Sequence, residues 1–490
     1  MNYVNHLDLR LKLNPCLCGK AEGLLLNFKR CLNNCLIRLK RCICVVKDLR
    51  SFIQDVEEKA PGNLLRVHEE VSPNLEICNF LKKLERENKF PIVIFERIKG
   101  FNFPIVANLF ASRRSMALAL ETTEENLAEE YSRREEKLLE PELVEYGPVK
   151  EVKLTEEEVD LTKLPIVTHN RGDGGPYITS GVTVAKDPDT GKVNIGMYRH
   201  QLFSKNELGI LINPGKDLHY IYMKMEEESK PLEVAIVIGM HPAFHIASQT
   251  LKSCLSGTDE YMVAGGLLGE PLRVVKCETI NLEVPSNAEF VLEGEILPKV
   301  RRKEGPFGEY TGYYGKVTEQ PIIKIKAVTH RKDALYHDLM AGYSEHRLLA
   351  SVPREGHLLR ELRKVVPTVK KVHIPPSGAC YHAYISLRKV NEGDPKKIAL
   401  VALGMEQFLK HVVIVDDDID IFNEREVLWA IATRMRADKD LILIPGIRST
   451  PLDPTSYDIS RISKGAMVTK VVVDATIPLG VPFPKRIETL

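Results

Sequence analysis

The residue types able to do chemistry gather in three short stretches. Asn194-Ile195-Gly196-Met197-Tyr198-Arg199 follows the turn sequence Asp187-Pro188-Asp189-Thr190-Gly191 and reads as the return strand of a hairpin. Alternation along a strand puts Asn194, Gly196 and Tyr198 on one face and Ile195, Met197 and Arg199 on the other. Twist or a bulge near the strand end can bring Asn194 and Arg199 to one pocket. An arginine closing an apolar strand suits a carboxylate or phosphate, which its fork binds through two N–H groups; it equally suits a surface pairing with a nearby glutamate. The second stretch runs from Arg301 to Tyr314, where Glu304 and Glu309 flank Gly305-Pro306-Phe307-Gly308. That turn can bend both carboxyls into one cleft, with Phe307, Tyr310 and Tyr313 excluding water. Burial raises a carboxyl pKa and a cation lowers it, so such a pair can divide into a proton donor and an ion-paired partner. A Gly-Pro loop with ordinary glutamates is the plainer reading. The third stretch, Lys276-Cys277-Glu278-Thr279, ends a strand. Glu278, with Asn194 and either Asp217 or His219, offers oxygen and nitrogen donors to a hard divalent cation. Asp416-Asp417-Asp418 also stands at a strand's carboxyl end, and reads as capping the segment after it. No glycine-rich dinucleotide fingerprint or Walker A sequence follows any strand, so standard NAD and ATP sites are unsupported.

The elements that must position these groups fall into three regions after an unusual leader. Residues 45–150 alternate helix and strand: an amphipathic helix at 49–59 ended by Pro61-Gly62, another at 73–88, buried strands at 91–95 and 104–109, and a surface helix at 123–139. Residues 151–340 are mostly β, with strands at 178–185, 193–198, 234–238, 272–277, 289–296 and 321–329 suggesting a barrel or sandwich with helical inserts. Residues 341–490 resume the α/β rhythm, opening on a helix at 353–365 with proline in its first turn, where the missing N–H costs nothing. The fold class is thus α/β plus β, a central β domain between two α/β domains.

Composition bounds the function classes. The 68 Lys+Arg against 67 Asp+Glu leave a net charge of +1, which argues against a general nucleic-acid binder. No apolar run approaches the roughly 18–20 residues of a membrane span. The 14 histidines are scattered, which disfavours a metal hydrolase. Six of the ten cysteines (Cys16, Cys18, Cys31, Cys35, Cys42, Cys44) lie in the basic opening stretch, in spacings that fit no zinc pattern well. That stretch lacks a secretory apolar core, and patterned sequence begins abruptly at Val45-Val46-Lys47. Residues 1–44 are therefore read as a disordered or dispensable leader, or an over-called start. The other cysteines are scattered, which implies reduced thiols and a cytoplasmic protein.

Taken together, Asn194–Arg199, Lys276–Thr279 and Glu304–Tyr314 resemble the UbiD family of decarboxylases, a likeness extending from about Val46 to the C terminus. The resemblance implies prenylated FMN in a central split β-barrel, and a divalent metal, usually manganese, often with potassium nearby. It implies Arg199, Glu304 and Glu309 as the catalytic network. Asn194, Asp217 and Glu278 would be the metal ligands, with His219 the alternative to Asp217. Ile195, Gly196, Met197, Tyr198 and Arg199 would line the cofactor, with Lys216 near its phosphate and Lys464 or Arg425 as the second phosphate cation. The activity implied is reversible decarboxylation of an aromatic or α,β-unsaturated acid by a homodimer or homohexamer, the cofactor coming from a flavin prenyltransferase. Narrower readings are polyprenyl-hydroxybenzoate decarboxylation, which wants a wide apolar tunnel, and anhydromevalonate phosphate decarboxylation. The latter wants a second phosphate site, for which Arg301, Arg302, His346 and Arg347 are candidate donors. A non-catalytic flavin-binding protein would lack Glu304 or Glu309, and both are present.

Overall fold

The computed structural model describes residues 46–456 and 466–487. The leader and Lys464 lie outside the described residues. From Asp48 onward the chain forms one compact unit, built on three principal sheets. The first has four strands in the order Leu64–Val71, Ile92–Ile98, Ile105–Ala107, Tyr336–His337. Ile92, Val93, Ile94 and Phe95 are all buried, as expected of a strand covered on both faces. Its parallel neighbour Leu64–Val71 is hidden in the sequence because Arg66, His68, Glu69 and Glu70 crowd its exposed face. The helix Leu49–Lys59 sits where its apolar spacing places it, and Asp48 and Ser51 close a capping box at its start.

The central sheet has nine strands, among them β1 (Val182–Lys186), β2 (Val193–Met197), β3 (His200–Ser204) and β4 (Phe290–Glu304). Strands β1 and β2 form the expected hairpin, pairing from Val182 with Met197 to Lys186 with Val193. β4 is far longer than its apolar stretch suggested, because its second half pairs through charged Arg301, Arg302 and Lys303 with the strand Thr318–His330. Gly294 lets these two backbones close: a Cβ there would stand 2.4 Å from the Lys324 carbonyl oxygen. Two helices flank this sheet at the site, α1 (Asp217–Glu227) and α2 (Glu260–Leu268).

Helix α3 (Ser344–Val365) leads into the third sheet, whose five strands run in the order Val369–His373, His382–Leu387, His411–Asp416, Met467–Ala475, Leu441–Arg448. Pro353 lies inside α3, nine residues after its start, and does not open it. Leu348, Leu349 and Val352 pack into the core shared with the N-terminal helices. Their burial outweighs the hydrogen bond that the proline removes. The α/β, β, α/β order is as the sequence implied. Among the described residues no helix is long and apolar enough to cross a membrane.

Candidate active site

Strand β2 stops at Met197, and the chain breaks direction at Tyr198-Arg199 before β3 begins. That break aims Arg199 at the end of β4. The guanidinium donates from Nε and Nη2 to the two oxygens of Glu304, at 2.8 and 2.7 Å, and from Nη1 to Glu309. Glu304 is fully buried, and Glu309 and Arg199 nearly so. Phe307, on the turn between the glutamates, presents its ring 4.9 Å from the guanidinium carbon and packs against Tyr177 at 4.6 Å. Gly315 keeps the junction open, because a Cβ there would fall 3.1 Å from Glu309 Oε1 and 3.5 Å from Arg199 Nη1. The sequence-predicted trio is therefore brought together.

The electrostatics follow from burial with a single cation. Desolvation opposes the Arg199 charge, but Glu309 and Glu304 outweigh it and hold the guanidinium above its ordinary pKa. Burial, aided by Glu304 and opposed by Arg199, raises the Glu309 carboxyl above its ordinary pKa. A cavity of about 110 Å³ opens beside the guanidinium, walled by Met197, Tyr198, Phe307, His346 and Leu349 among others. Burial and neighbouring Arg347 hold His346 down at about 4, so it stands in that wall as a neutral imidazole.

A second acidic group forms on the other side of Tyr198. Asn194 Nδ2 lies 3.2 Å from both oxygens of Glu260, and the Ile195 N–H donates to Glu260 Oε2 at 2.7 Å. Glu260 opens α2, capped by Asp259, and Asp217 opens α1. One oxygen from each carboxyl and the thiol of Cys254 all lie within 4.8 Å of one another. Asp217 Oδ2 is fixed by the Ser253 hydroxyl at 2.6 Å and the Cys254 N–H at 2.9 Å. Burial, reinforced by Asp217, pushes Glu260 up to about 8 against the hydrogen bonds it accepts. Asn194 Oδ1 is buried without a partner. A buried carboxyl, a half-buried one, a thiol and an orphaned amide oxygen are a donor set that fits a divalent cation. Lys216 caps α1; burial and Arg354 lower its ammonium pKa, while Glu406, Asp217 and Glu260 support it.

Glu278 does not join this group. The strand Arg273–Lys276 turns it toward the Lys150 and Lys153 ammonium groups, 3.2 and 2.9 Å away, while its N–H donates to Glu293. Glu260 stands beside Asn194 instead. Its signal in the sequence is Asp259-Glu260 directly before an apolar run, a helix start that places the acid in the first turn. His219 lies one half-turn along α1, its ring against Tyr220, and outside the group. Of the predicted cofactor-lining residues, Met197, Tyr198 and Arg199 border the cavity, and Ile195 is buried with its N–H on Glu260. Gly196 lies under the Tyr198 ring. Arg425 is the second residue of the helix Glu424–Arg434 in the C-terminal layer. Asp416 and Asp418 are bound by Arg434 at 2.9 and 2.6 Å, an ion pair in place of the expected cap, since Asn423 caps the helix that follows. The four donors considered for a second phosphate are committed or neutral. Arg301 binds Tyr222 and Glu226, Arg302 binds Glu207, and Arg347 holds the carbonyls of Tyr310, Pro376 and Gly342.

Comparison with known proteins gives consistent matches. The family models of 3-octaprenyl-4-hydroxybenzoate carboxy-lyase match in order: the N-terminal domain over residues 57–135, the Rift-related domain over 142–344 and the C-terminal domain over 347–475. The anhydromevalonate phosphate decarboxylase of Methanothermobacter thermautotrophicus is 37% identical over 436 residues, covering 88% of this chain and 97% of the relative. The UbiD-class enzyme HmfF from Pelotomaculum thermopropionicum, solved in complex with FMN, superposes with a TM-score of 0.84 at 41% identity over 90% of this chain and 97% of its own. An evolved dimeric form of HmfF, in complex with prFMN, gives 0.81 at 39% identity over 91% and 97%.

Proposed function

Because the chain belongs to the UbiD family of carboxy-lyases, we propose that it removes carbon dioxide, reversibly, from an α,β-unsaturated or aromatic acid, using prenylated FMN and a divalent cation. The observation that carries this is one buried guanidinium shared by two glutamates at the edge of a cavity. Arg199 has five N–H donors, and the glutamates take three. The remaining two are free to hold a substrate carboxylate. Glu304 fixes the plane of the fork by its paired contact. Glu309, its carboxyl raised by burial, delivers a proton to the carbon that loses carbon dioxide and takes it back in the carboxylating direction. The bound flavin would supply an electron sink for charge developing on that carbon. Asn194, Asp217 and Glu260 would hold the cation, and Met197, Tyr198 and Lys216 would border the cofactor. The walls of the cavity exclude water, which preserves the proton for carbon.

The names of the curated relatives favour a narrower second reading, anhydromevalonate phosphate as the acid. Since Arg301, Arg302 and Arg347 are already engaged, that reading requires other phosphate donors. Assembly as a homodimer or homohexamer through the C-terminal layer is supported by exposed Leu428, Trp429, Leu441 and Leu443, and a cytoplasmic location is part of the same proposal. The test is chain produced alongside a flavin prenyltransferase. Its absorption spectrum and cofactor mass should report prenylated FMN, and an acid panel including a phosphorylated α,β-unsaturated acid should release carbon dioxide. Bound flavin with no release from any acid would refute the catalytic reading.

A further inference from the structure

Of the four cysteines among the described residues, three have ordinary surroundings. Cys78 lies in an apolar core, Cys277 ends a strand beside Glu293, and Cys380 rests against Ser351. Cys254, with Asp217 and Glu260, makes the one grouping of three potential ligands among the described residues. We propose that Cys254 is a thiolate ligand to the cation held by Asn194, Asp217 and Glu260, so that this site prefers a thiophilic divalent cation such as zinc to manganese. The inference rests on the metal reading above and deepens it.

The local geometry is built for such a role. Ligands about 2.0–2.3 Å from a shared ion lie roughly 3.3–3.8 Å from one another, and the three atoms need only small side-chain adjustments from their spread within 4.8 Å. Cys254 starts a one-turn helix ending at Gly257, whose φ of +92° is open only to glycine at low cost and returns the chain to Asp259 and Glu260. The same turn supplies the N–H that pins Asp217 Oδ2, which leaves the other oxygen of Asp217 for a ligand. A second, independent observation points to an ion. Asn194 is only 5% exposed, its Oδ1 has no partner, and its amide already abuts Glu260. Rotating that amide would turn the oxygen toward the same centre. On binding, the S–H bond breaks, the sulfur–metal bond forms and the proton leaves to solvent. Lys216, next to both carboxyls, offsets part of the added negative charge. Cys254 is fully buried and Glu260 nearly so, so selection falls on the donor atoms themselves, and a soft donor shifts it toward zinc, iron(II) or cobalt(II).

The test uses the full-length chain with serine at Cys16, Cys18, Cys31, Cys35, Cys42 and Cys44, which removes the leader thiols from the zinc count. Zinc alone is the probe, read by X-ray absorption at the zinc edge and by competition with manganese. The expected result is one sulfur scatterer at about 2.3 Å, lost in Cys254→Ser, with the zinc-over-manganese preference falling by about ten- to a hundredfold. Zinc that depends on Glu260 but shows only oxygen and nitrogen neighbours would overturn the thiolate and leave the metal reading standing. Zinc binding unaffected by Glu260→Gln, or none at all, would overturn both.

Discussion

Two acidic groups flank Tyr198 at the end of one strand, and they follow opposite charge rules. In the first, Glu304 and Glu309 share Arg199, so buried charge is balanced within the protein. In the second, Asp217 and Glu260 face each other beside Asn194 and Cys254, with Lys216, exposed to solvent at the start of α1, as a neighbouring cation. Burying a charge without a partner is costly. The first group is therefore complete as folded and suited to moving a proton, whereas the second is suited to receiving a cation. Strand β2 delivers Asn194 to the second group, and the break just after its end delivers Arg199 to the first.

The contrast breaks most sharply at Glu309. Glu309→Gln keeps the shape and the contact to Arg199 but removes the proton. Turnover should fall by about 100- to 10,000-fold, with flavin content unchanged, read by steady-state carbon dioxide release against cofactor absorbance. Undiminished release would show that the raised carboxyl is not the donor. Arg199→Met should come next. It strands two buried carboxyls without a cation, so unfolding by denaturant should lose about 3–5 kcal/mol along with activity. If the first group were not internally balanced, this loss would be small. Glu260→Gln should behave in the opposite way. Divalent affinity by calorimetry should fall by about a hundredfold, while the metal-free chain keeps or gains stability because one uncompensated acid is gone.

Much of this is legible in the sequence. The hairpin turn, the apolar alternation and the Gly-Pro bend singled out Arg199, Glu304 and Glu309 as candidates, because strand period and turn chemistry are local properties, and the family resemblance joined them into one network. What failed was non-local. Glu278 and Glu260 both follow or precede recognisable elements, and nothing in either neighbourhood says which one packs against Asn194. That is decided by how α2 docks on β2, with Tyr261 reaching the Glu283 carbonyl at 2.8 Å. The same holds for Pro353, where a local rule for helix starts lost to the burial of Leu348, Leu349 and Val352. Leu64–Val71 was missed because this edge strand buries only Val67, and its polar run His68, Glu69, Glu70 breaks the apolar alternation.

The same contrast recurs along a single helix, where it gives the smallest effect and the cleanest sign. On α3, Glu355 is fully buried, yet Arg113 at 2.7 Å and His373 at 2.8 Å outweigh that burial and hold it down at about 2. Ten residues earlier, Glu345 is buried among backbone N–H groups, those of Met340 and Phe110 among them, with no cation, and burial lifts it to about 7. An unfolded glutamate titrates near about 4.3. Glu355 thus adds stability that is present above that value and is lost as pH falls toward 2. Glu345 adds stability that is present below that value and is lost as pH rises through 7. Glu355→Gln should therefore lower Tm at pH 7 and matter less at pH 3. Glu345→Gln should be nearly silent at pH 4 and raise Tm at pH 8, each by about 2–4 °C. Melting curves at those pH values separate the cases, because a purely steric effect of either substitution would not change with pH.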